Sequence, residues 1–307
     1  MKRANLDLRG VIPALTTPFK EDRSLDIGGY ERLVEAVIGD GVHGLLVNGC
    51  TGESWAVTDD ERAQIFATAV RVARGRVPVV AGCGAMLPHQ AIEKTRQAAA
   101  AGCDAVLLQP PYYILPSLEE VGQFYREVMD ASPLPVVIYN IPRRTGINLT
   151  VDLVDRLADH PKAIALKESS KDFLLLADMI RKVGDRISVF AGYAALLGLA
   201  AIAHGAVGYM DSSTPVLGRK SVRFFEAAMA GDLASARRLQ AEMSQLNAGF
   251  FGVGTFPAGV KAALDMLGRP GGWPRDPVKP LDADKRAKIR GVLVAAGLIE
   301  DAAQAAQ

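Results

Sequence analysis

Apolar and polar positions alternate in a regular order along most of this 307-residue chain. Short apolar runs, of the length of buried strands, are each followed by a longer stretch in which apolar residues recur at helical spacing. The apolar runs predict eight strands, over residues 11–15, 44–48, 77–81, 105–109, 136–139, 164–167, 187–191 and 207–210. The intervening stretches predict helices over residues 26–40, 58–74, 88–101, 117–131, 150–158, 172–183, 194–204 and 218–229.

Local signals support these boundaries. Thr58 and Glu61 have the spacing of a capping box at a helix start. Gly41, Gly102 and Gly205 are interpreted as glycines that end helices before the next strand. Eight strand–helix units of about 25 to 30 residues each predict an α/β fold, a (β/α)8 TIM barrel, in preference to a doubly wound open sheet.

The pattern changes near residue 231. Residues 232–246, 257–267 and 282–297 predict three further helices, and residues 268–280 between them are rich in glycine and proline. No apolar run of strand character lies among them. We therefore predict a barrel catalytic domain over residues 1–230 and a C-terminal helical region over residues 231–307.

Composition narrows the possible partners. A hydrophobic content of 49% with 22% charged residues is typical of a globular protein with a large core. A net charge of +1 without a basic stretch argues against nucleic-acid binding. No apolar run reaches the roughly 18 residues of a membrane span, and no apolar segment follows the N-terminal charges. We expect a cytoplasmic protein with no membrane partner.

Cysteine and histidine usage gives no metal site. Cys50, Cys83 and Cys103 show no Cys-x-x-Cys spacing, which favours a reducing compartment. The four histidines are scattered singly along the chain. We predict no metal.

The strongest candidate for chemistry is Lys167, which ends the apolar run of the sixth strand. Active sites of such barrels lie at the carboxyl ends of the strands. A lysine that is desolvated there has a lowered pKa, so that its neutral amine becomes available as a nucleophile for a carbonyl substrate. The alternative is a lysine that ends a strand and points to water.

Two other strand ends carry suitable groups. After the second strand, a glycine-spaced turn with Cys50 and Thr51 could direct backbone N–H groups and a hydroxyl at a carboxylate, or be only a turn. At the end of the fifth strand, the phenol of Tyr139 could move protons beside an imine. Arg144 could bind a carboxylate by its planar fork, or form a salt bridge at the rim.

These residues together resemble the dihydrodipicolinate synthase / N-acetylneuraminate lyase family of class I pyruvate aldolases. The resemblance covers nearly the whole chain. It rests on Gly49-x-Thr51-Gly52-Glu53, Tyr139-Asn140-Ile141-Pro142, Leu166-Lys167-Glu168, Gly231-Asp232, Pro257-x-x-Val260-Lys261-Ala262-Ala263 and Pro280-Leu281.

The resemblance implies a role for each matching residue. Lys167 would attack the keto carbon of pyruvate or another 2-oxo acid, and Tyr139 would relay protons. Thr51 and the backbone of Cys50 would hold the carboxylate. The remaining implied contacts are the carbonyl of Val207 near pyruvate, Arg144 on the carboxylate of the acceptor, and Tyr113 across a dimer interface. The resemblance also implies a homotetramer built as a dimer of dimers, without a metal or organic cofactor.

Two departures leave the substrate open. Cys50 stands where dihydrodipicolinate synthases carry threonine, and a thiol is a poorer proton relay than a hydroxyl. Asp211, after the eighth strand, could hydrogen-bond a hydroxylated acceptor or cap the next helix. Arg144 favours 4-hydroxy-tetrahydrodipicolinate synthase, which joins pyruvate to aspartate semialdehyde, whereas Asp211 favours an aldolase or dehydratase of 2-oxo-3-deoxy sugar acids or an N-acetylneuraminate-like substrate.

Two further alternatives come from other classes. A catalytically silent barrel could bind 2-oxo acids as a sensor. A phosphate-binding barrel enzyme would use Gly192 and Ser212, after strands seven and eight, although neither loop has a glycine-rich phosphate cradle.

Overall fold

Eight parallel strands form the centre of the computed structural model, which describes residues 6–300. Residues 1–5 and 301–307, at the outer ends of the two predicted domains, lie outside the described residues. The strands are β1 (Gly10–Val11), β2 (Leu45–Val47), β3 (Val79–Gly82), β4 (Ala105–Leu108), β5 (Val136–Asn140), β6 (Ala163–Glu168), β7 (Ser188–Ala191) and β8 (Gly208–Tyr209). They pair in the order β1-β8-β7-β6-β5-β4-β3-β2.

The segment that follows β1 closes this sheet into a barrel. The N–H of Ile12 donates to the carbonyl of Tyr209 at 3.0 Å. On the other side, the N–H of Leu15 donates to the carbonyl of Leu46 at 2.9 Å, and Ala14 forms a parallel bridge with Leu46. The predicted (β/α)8 barrel is therefore confirmed.

Helices surround the barrel in the predicted order. They are α1 (Ile27–Gly39), α2 (Asp59–Ala73), α3 (Pro88–Ala100), α4 (Leu118–Ala131), α5 (Pro142–Thr145), α6 (Val151–Ala158), α7 (Phe173–Val183), α8 (Ala194–Ala203), α9 (Thr214–Leu217) and α10 (Arg219–Met229). The short α5 and α9 were not expected, because each is a single turn. The Thr58–Glu61 capping box is present, and Gly41, Gly102 and Gly205 all have positive φ where helices end.

The predicted C-terminal helices are α11 (Leu233–Phe250), α12 (Ala258–Met266) and α13 (Ala283–Ala295). The first ends at Phe250, beyond the predicted residue 246. It packs against α10 and α8, and α13 packs against both α11 and α12. These helices hold residues 251–256 against the carboxyl end of the barrel, where Phe251 and Phe256 contact each other.

Apolar side chains fill the barrel interior. One buried cluster includes Ile12, Leu46, Val137, Phe190 and Met210, all from or beside the strands. A larger cluster lies between the strands and the helices. The interior of the barrel is thus a packed core, and open space is found toward the carboxyl ends of the strands. Among the helices over residues 6–300, none is long and apolar enough to cross a membrane.

Candidate active site

A cavity of about 290 Å³ opens at the carboxyl end of the barrel. Its walls come from the loops that follow β2, β5, β6, β7 and β8 and from residues 251–256. The cavity brings together five of the predicted site residues, which are Cys50, Thr51, Tyr139, Arg144 and Lys167. Residues separated by more than 100 positions in the chain therefore meet where barrel enzymes carry their active sites.

Lys167 and Tyr139 are neighbours across β5 and β6. The register pairs the two residues, and the Lys167 Nζ lies 4.4 Å from the centroid of the Tyr139 ring. Lys167 is only 5% exposed, and burial lowers its pKa to about 8. Burial also raises the pKa of the Tyr139 phenol well above its ordinary value. A partly neutral amine therefore lies against a fully protonated phenol at neutral pH.

The turn after β2 packs closely enough that only small residues fit beneath it. A Cβ on Gly82 would lie 2.3 Å from the carbonyl oxygen of Asn48, and a Cβ on Gly52 would lie 3.0 Å from the Asn48 Cα. Asn48 itself has a left-handed φ of 52°. The hydroxyl of Thr17 donates to the Gly52 carbonyl at 2.7 Å. These contacts hold Cys50 and Thr51 at the cavity wall.

Buried polar contacts align the loops after β5, β6 and β7. Asn140 Nδ2 donates to Glu168 Oε1 at 3.0 Å, and the Asn140 carbonyl accepts from the Ser169 N–H at 2.8 Å. The Glu168 carbonyl accepts from the Gly192 N–H at 2.7 Å. Glu168 thus connects two loops through its hydrogen bonds. Successive side chains of a strand point to opposite faces, so the preceding residue, Lys167, points toward the cavity.

Asp211 is not among the residues that line the cavity, and its predicted contact with a substrate stays a prediction. One carboxylate oxygen accepts from the Ala194 N–H at 2.8 Å, at the start of α8. The other accepts from the Ser213 N–H at 2.5 Å and from the Ser213 hydroxyl. Burial raises the pKa of this carboxyl. Asp211 therefore ties the end of β8 to the start of α8.

Val207 is also absent from the residues that line the cavity, and its predicted contact with pyruvate stays a prediction. Strand β8 begins at Gly208, so that Val207 precedes it, at the opposite end of the strand from the cavity. The carbonyl that was expected near pyruvate accepts from the Gly10 N–H at 2.9 Å instead. Tyr113, on the loop after β4, is 87% exposed and does not line this cavity. Its contact with a partner subunit stays a prediction.

Sequence reasoning missed several residues that line the cavity. Arg143 and Lys171 add two positive charges, and Tyr193 adds a hydroxyl. Ser212, which the sequence analysis named only as a possible phosphate ligand, also lines the cavity. Ser169 is buried, and its hydroxyl lies near the Tyr139 phenol, where it opposes the rise in that phenol's pKa. Arg143, Ser169 and Tyr193 each stand next to a residue that the sequence analysis named, and Lys171 stands three positions after Glu168, so proximity to the strand ends was the available signal.

Arg144 separates this cavity from a second one. Its guanidinium lies 5.3 Å from the centroid of the Phe256 ring. Burial raises the pKa of the Cys50 thiol, and the positive charge of Arg144 opposes this rise. The second cavity, of about 270 Å³, shares Cys50, Tyr139 and Arg144 with the first. The two cavities are therefore neighbouring parts of one cleft.

Among residues 6–300, no group of three or more His, Cys, Asp or Glu side chains is arranged to hold a metal ion.

Comparisons with known proteins agree with this geometry. A family model described as the dihydrodipicolinate synthetase family matches residues 7–296. A 4-hydroxy-tetrahydrodipicolinate synthase from Methanoculleus marisnigri is 38% identical over 288 residues, which cover 93% of this chain and 98% of that protein.

Solved structures show the same likeness. The dihydrodipicolinate synthase from Acinetobacter baumannii, complexed with pyruvate, superposes with a TM-score of 0.91 at 31% identity and covers 95% of this chain and 100% of its own. A monomeric dihydrodipicolinate synthase variant superposes with a TM-score of 0.90 at 29% identity and covers 95% of this chain and 98% of its own.

The barrel and its relatives define the class of this protein, which is a lyase with a TIM-barrel fold. The chain belongs to the dihydrodipicolinate synthetase family. The resemblance drawn from its motifs is confirmed.

Proposed function

We propose that this chain is a 4-hydroxy-tetrahydrodipicolinate synthase that joins pyruvate to aspartate semialdehyde through a Schiff base on Lys167. One observation carries this proposal. Lys167 is buried at the cavity wall with a pKa near 8 and forms no ion pair with any residue between 6 and 300. A buried lysine without a counter-ion is costly to the fold, and a nucleophilic role accounts for it.

The first step is imine formation. The neutral Lys167 amine attacks the keto carbon of pyruvate to give a carbinolamine, which loses water to become the imine. At pH 7 about one lysine in ten is neutral when the pKa is near 8, whereas fewer than one in a thousand is neutral at the ordinary pKa. The lowered pKa therefore increases the fraction of reactive amine at pH 7 by roughly three hundredfold.

Tyr139 is the group best placed to move protons during this step. Its ring lies against the Lys167 Nζ, and its raised pKa keeps the phenol protonated. It can donate a proton to the departing hydroxyl of the carbinolamine and be reprotonated from the cavity. Thr51 and the backbone of Cys50 hold the pyruvate carboxylate in this proposal, since both line the wall beside Lys167.

The second step joins the two substrates. Loss of a methyl proton converts the imine to an enamine, whose carbon attacks the aldehyde carbon of the acceptor. The amine of the acceptor then displaces Lys167 from the imine carbon and closes the ring. Arg144 binds the carboxylate of the acceptor in this scheme, because its guanidinium lines the cavity beside Cys50.

An aldolase or dehydratase of 2-oxo-3-deoxy sugar acids is the second candidate. Hydroxyl groups of Ser169, Tyr193 and Ser212 line the cavity and could contact a hydroxylated acceptor. The carboxylate oxygens of Asp211 accept from Ala194 and Ser213, so we assign this contact to the hydroxyl groups and not to Asp211. Both candidates require the same Lys167 imine and differ only in the acceptor.

We further propose a cytoplasmic homotetramer in which Tyr113 contacts the partner subunit. Tyr113, Ile114 and Leu115 form a consecutive apolar segment whose side chains are all more than half exposed. An exposed apolar segment of this kind is typical of an interaction surface. The monomeric relative shows that oligomeric state varies in the family, so sedimentation of the purified protein is the appropriate test.

The function is tested by turnover with the two acceptors. In one reaction the protein is incubated with pyruvate and aspartate semialdehyde, and the loss of pyruvate is followed. In a second reaction it is incubated with a 2-oxo-3-deoxy sugar acid alone, and the release of pyruvate is followed. We expect consumption of pyruvate with aspartate semialdehyde and no pyruvate release from the sugar acid. Release of pyruvate from the sugar acid without consumption of aspartate semialdehyde would overturn the assignment in favour of the second candidate.

A further inference from the structure

Ser169 places a buried hydroxyl in the wall of the catalytic cavity. The residue is 3% exposed and stands two positions after Lys167, directly after the end of β6. Its backbone N–H donates to the Asn140 carbonyl at 2.8 Å, which fixes the backbone at this point. Its hydroxyl lies near the phenol of Tyr139, whose ring lies against the Lys167 Nζ. The hydroxyl of Ser169 and the amine of Lys167 therefore approach the same side chain, and both line the cavity.

A glycine in the loop after β7 makes room for this hydroxyl. A Cβ on Gly192 would lie 1.8 Å from the Ser169 Oγ and 2.8 Å from the Glu168 carbonyl oxygen. The Gly192 N–H donates to that same carbonyl at 2.7 Å, so the loop is held close. Gly192 does not have a positive φ, and close packing is therefore what favours glycine at this position. The Ser169 hydroxyl keeps its place because residue 192 has no side chain.

The surroundings of Tyr139 make its phenol a weak acid. Burial raises the pKa of the phenol well above its ordinary value, and the Cys50 thiol and the Tyr193 phenol raise it further. The positive charge of Arg144 and a hydrogen bond from the Ser169 hydroxyl oppose this rise. A phenol of this kind gives up a proton slowly unless the phenolate oxygen is stabilised and soon regains a proton. Proton transfer by Tyr139 therefore needs a neighbouring donor.

Ser169 is the neighbour best suited to that task. A hydroxyl can donate one hydrogen bond while it accepts another, so it can pass a proton on from a cavity water. The Cys50 thiol is a poorer donor, and the guanidinium of Arg144 does not release a proton in proteins. The Tyr193 phenol is itself made less acidic by burial. The proton path to Tyr139 therefore leads through the serine.

We infer that Ser169 is a positioning residue for proton transfer, whose hydroxyl donates a hydrogen bond to the Tyr139 oxygen while the phenol gives up its proton and then returns a proton to that oxygen. This inference rests on the proposed Lys167 chemistry and adds the path by which Tyr139 recovers its proton. Ser169 acts on the substrate through Tyr139. Gly192 is part of the same arrangement, because its lack of a side chain leaves the hydroxyl in place.

The step consumes one solvent proton and no other reactant. The phenolic proton of Tyr139 passes to the hydroxyl of the carbinolamine, the carbon–oxygen bond breaks, and a water molecule leaves. The nitrogen of Lys167 is then part of a positively charged iminium. The Ser169 proton passes to the phenolate oxygen while the serine oxygen takes a proton from a cavity water, so that no free alkoxide forms. Both side chains end the step in the state in which they began it.

The test removes the hydroxyl of Ser169 with and without its partner. Ser169→Ala and Ser169→Thr are each made in the wild-type protein and in the Tyr139→Phe variant. The matched control is Ser170→Ala, which removes the hydroxyl of the next residue, whose oxygen accepts from the Asp172 N–H at 3.0 Å outside the cavity lining. Rapid mixing with pyruvate and a borohydride quench gives the rate of adduct formation, in H2O and in D2O, and its dependence on pyruvate concentration.

We expect Ser169→Ala to slow adduct formation about tenfold, because one hydrogen bond to a developing negative charge is lost. The half-saturating pyruvate concentration and the final amount of adduct should not change. The solvent isotope effect should increase, since proton transfer then limits the rate more strongly. Ser169→Thr should restore most of the rate, and Ser170→Ala should match the wild type. In the Tyr139→Phe background, Ser169→Ala should cause no further loss.

Three results would overturn the inference while leaving the Lys167 chemistry intact. They are an unchanged rate in Ser169→Ala, an equal loss of rate in Ser170→Ala, and a further tenfold loss when Ser169→Ala is added to Tyr139→Phe. The last result would mean that the serine supports the shape of the cavity and does not act through the phenol. Absence of the pyruvate adduct in the wild type is a different outcome, which would refute the proposed function itself and this inference with it.

Discussion

Two buried lysines in this protein have nearly the same electrostatic character and opposite surroundings. Lys167 is 5% exposed and Lys261, in α12, is 1% exposed. Each Nζ lies over an aromatic ring, at 4.4 Å from the Tyr139 centroid and 4.7 Å from the Phe19 centroid. Burial lowers the pKa of both lysines to about 8.

Their partners differ. The Lys261 Nζ forms a buried ion pair with Glu53 and donates to the Trp273 carbonyl at 2.7 Å. Lys167 has no ion pair within residues 6–300 and lines the catalytic cavity. A lowered pKa therefore does not by itself identify a catalytic lysine. Access to a cavity and the lack of a close ion pair separate the reactive amine from the structural one, since the Asp211 carboxylate acts on Lys167 without contacting it.

The structural lysine also supports the catalytic cavity. Glu53 ends the turn that carries Thr51, and it has a left-handed φ of 54°. Its second carboxylate oxygen accepts from the Arg275 N–H at 2.9 Å. The C-terminal region thus holds the turn after β2 through a buried charge. Lys261 is therefore a stabilising residue, whereas the burial of Lys167 lowers the stability of the fold.

Replacing Lys167 should produce the largest change in activity. We expect Lys167→Met to lower kcat by roughly a thousandfold or more, since no other group can form the imine. The free energy of unfolding of the same variant should be higher at pH 7 by about 3 kcal/mol, because the burial that lowers the pKa of Lys167 from 10.5 to about 8 no longer opposes folding. Steady-state kinetics and urea unfolding measure the two effects. Retained activity, or a loss of stability beyond about 1 kcal/mol, would contradict the account.

Replacing Lys261 should have the opposite profile. We expect Lys261→Met to destabilise the protein by about 3 to 5 kcal/mol, because Glu53 is left buried without a counter-ion. The control is Glu53→Gln/Lys261→Met, which removes both charges and should recover much of the loss. Urea unfolding of both variants is the measurement. Equal stability of the single variant and the wild type would show that the pair is not a stabilising feature.

A smaller effect is expected at the phenol beside Lys167. Tyr139→Phe retains the ring under the Nζ and removes only the hydroxyl, so the fold should be unchanged. We expect kcat to fall about a hundredfold, the usual contribution of a positioned proton donor. The pyruvate adduct should still form, more slowly. Rapid-mixing kinetics of adduct formation check this, and a rate equal to that of the wild type would exclude Tyr139 as the proton donor.

The pH dependence gives the smallest and most specific effect. Because only the neutral amine attacks pyruvate, the rate of adduct formation should rise about tenfold per pH unit up to about pH 8 and then level. Between about pH 8 and the ordinary lysine pKa of 10.5, the unfolded chain binds more protons than the folded one, so stability should rise with pH. A rate that continues to rise to pH 10 would mean that burial does not lower the pKa of Lys167.

Features that depend on local sequence were predictable. The sequence predicted the positions of the eight strands, because the end of an apolar run marks the end of a strand. It also placed three residues correctly at the carboxyl end of the barrel, namely Lys167, Tyr139 and Thr51. Whether these residues perform their predicted roles stays to be tested. Residues 12–15 were expected within β1, and their hydrogen bonds to Tyr209 and Leu46 confirm that the strand character extends there.

Features that depend on register and loop conformation were not predictable. Strand β8 starts at Gly208, one residue later than expected, and the carbonyl of Val207 accepts from the Gly10 N–H before the strand begins. The hydrogen bonds that occupy Asp211 come from Ala194 and Ser213, and only the closed barrel brings Ala194 near. Lys171 reaches the cavity through a left-handed backbone that no local pattern indicates.

The most direct test of the central claim asks which of the two buried lysines reacts. The wild-type protein is incubated with pyruvate, reduced with borohydride, digested, and mapped by mass spectrometry. We predict one reduced pyruvate per chain, on Lys167, and none on Lys261 although its pKa is equally low. An adduct on Lys261, or no adduct on Lys167, would contradict the claim that access and the lack of a close ion pair select the catalytic lysine.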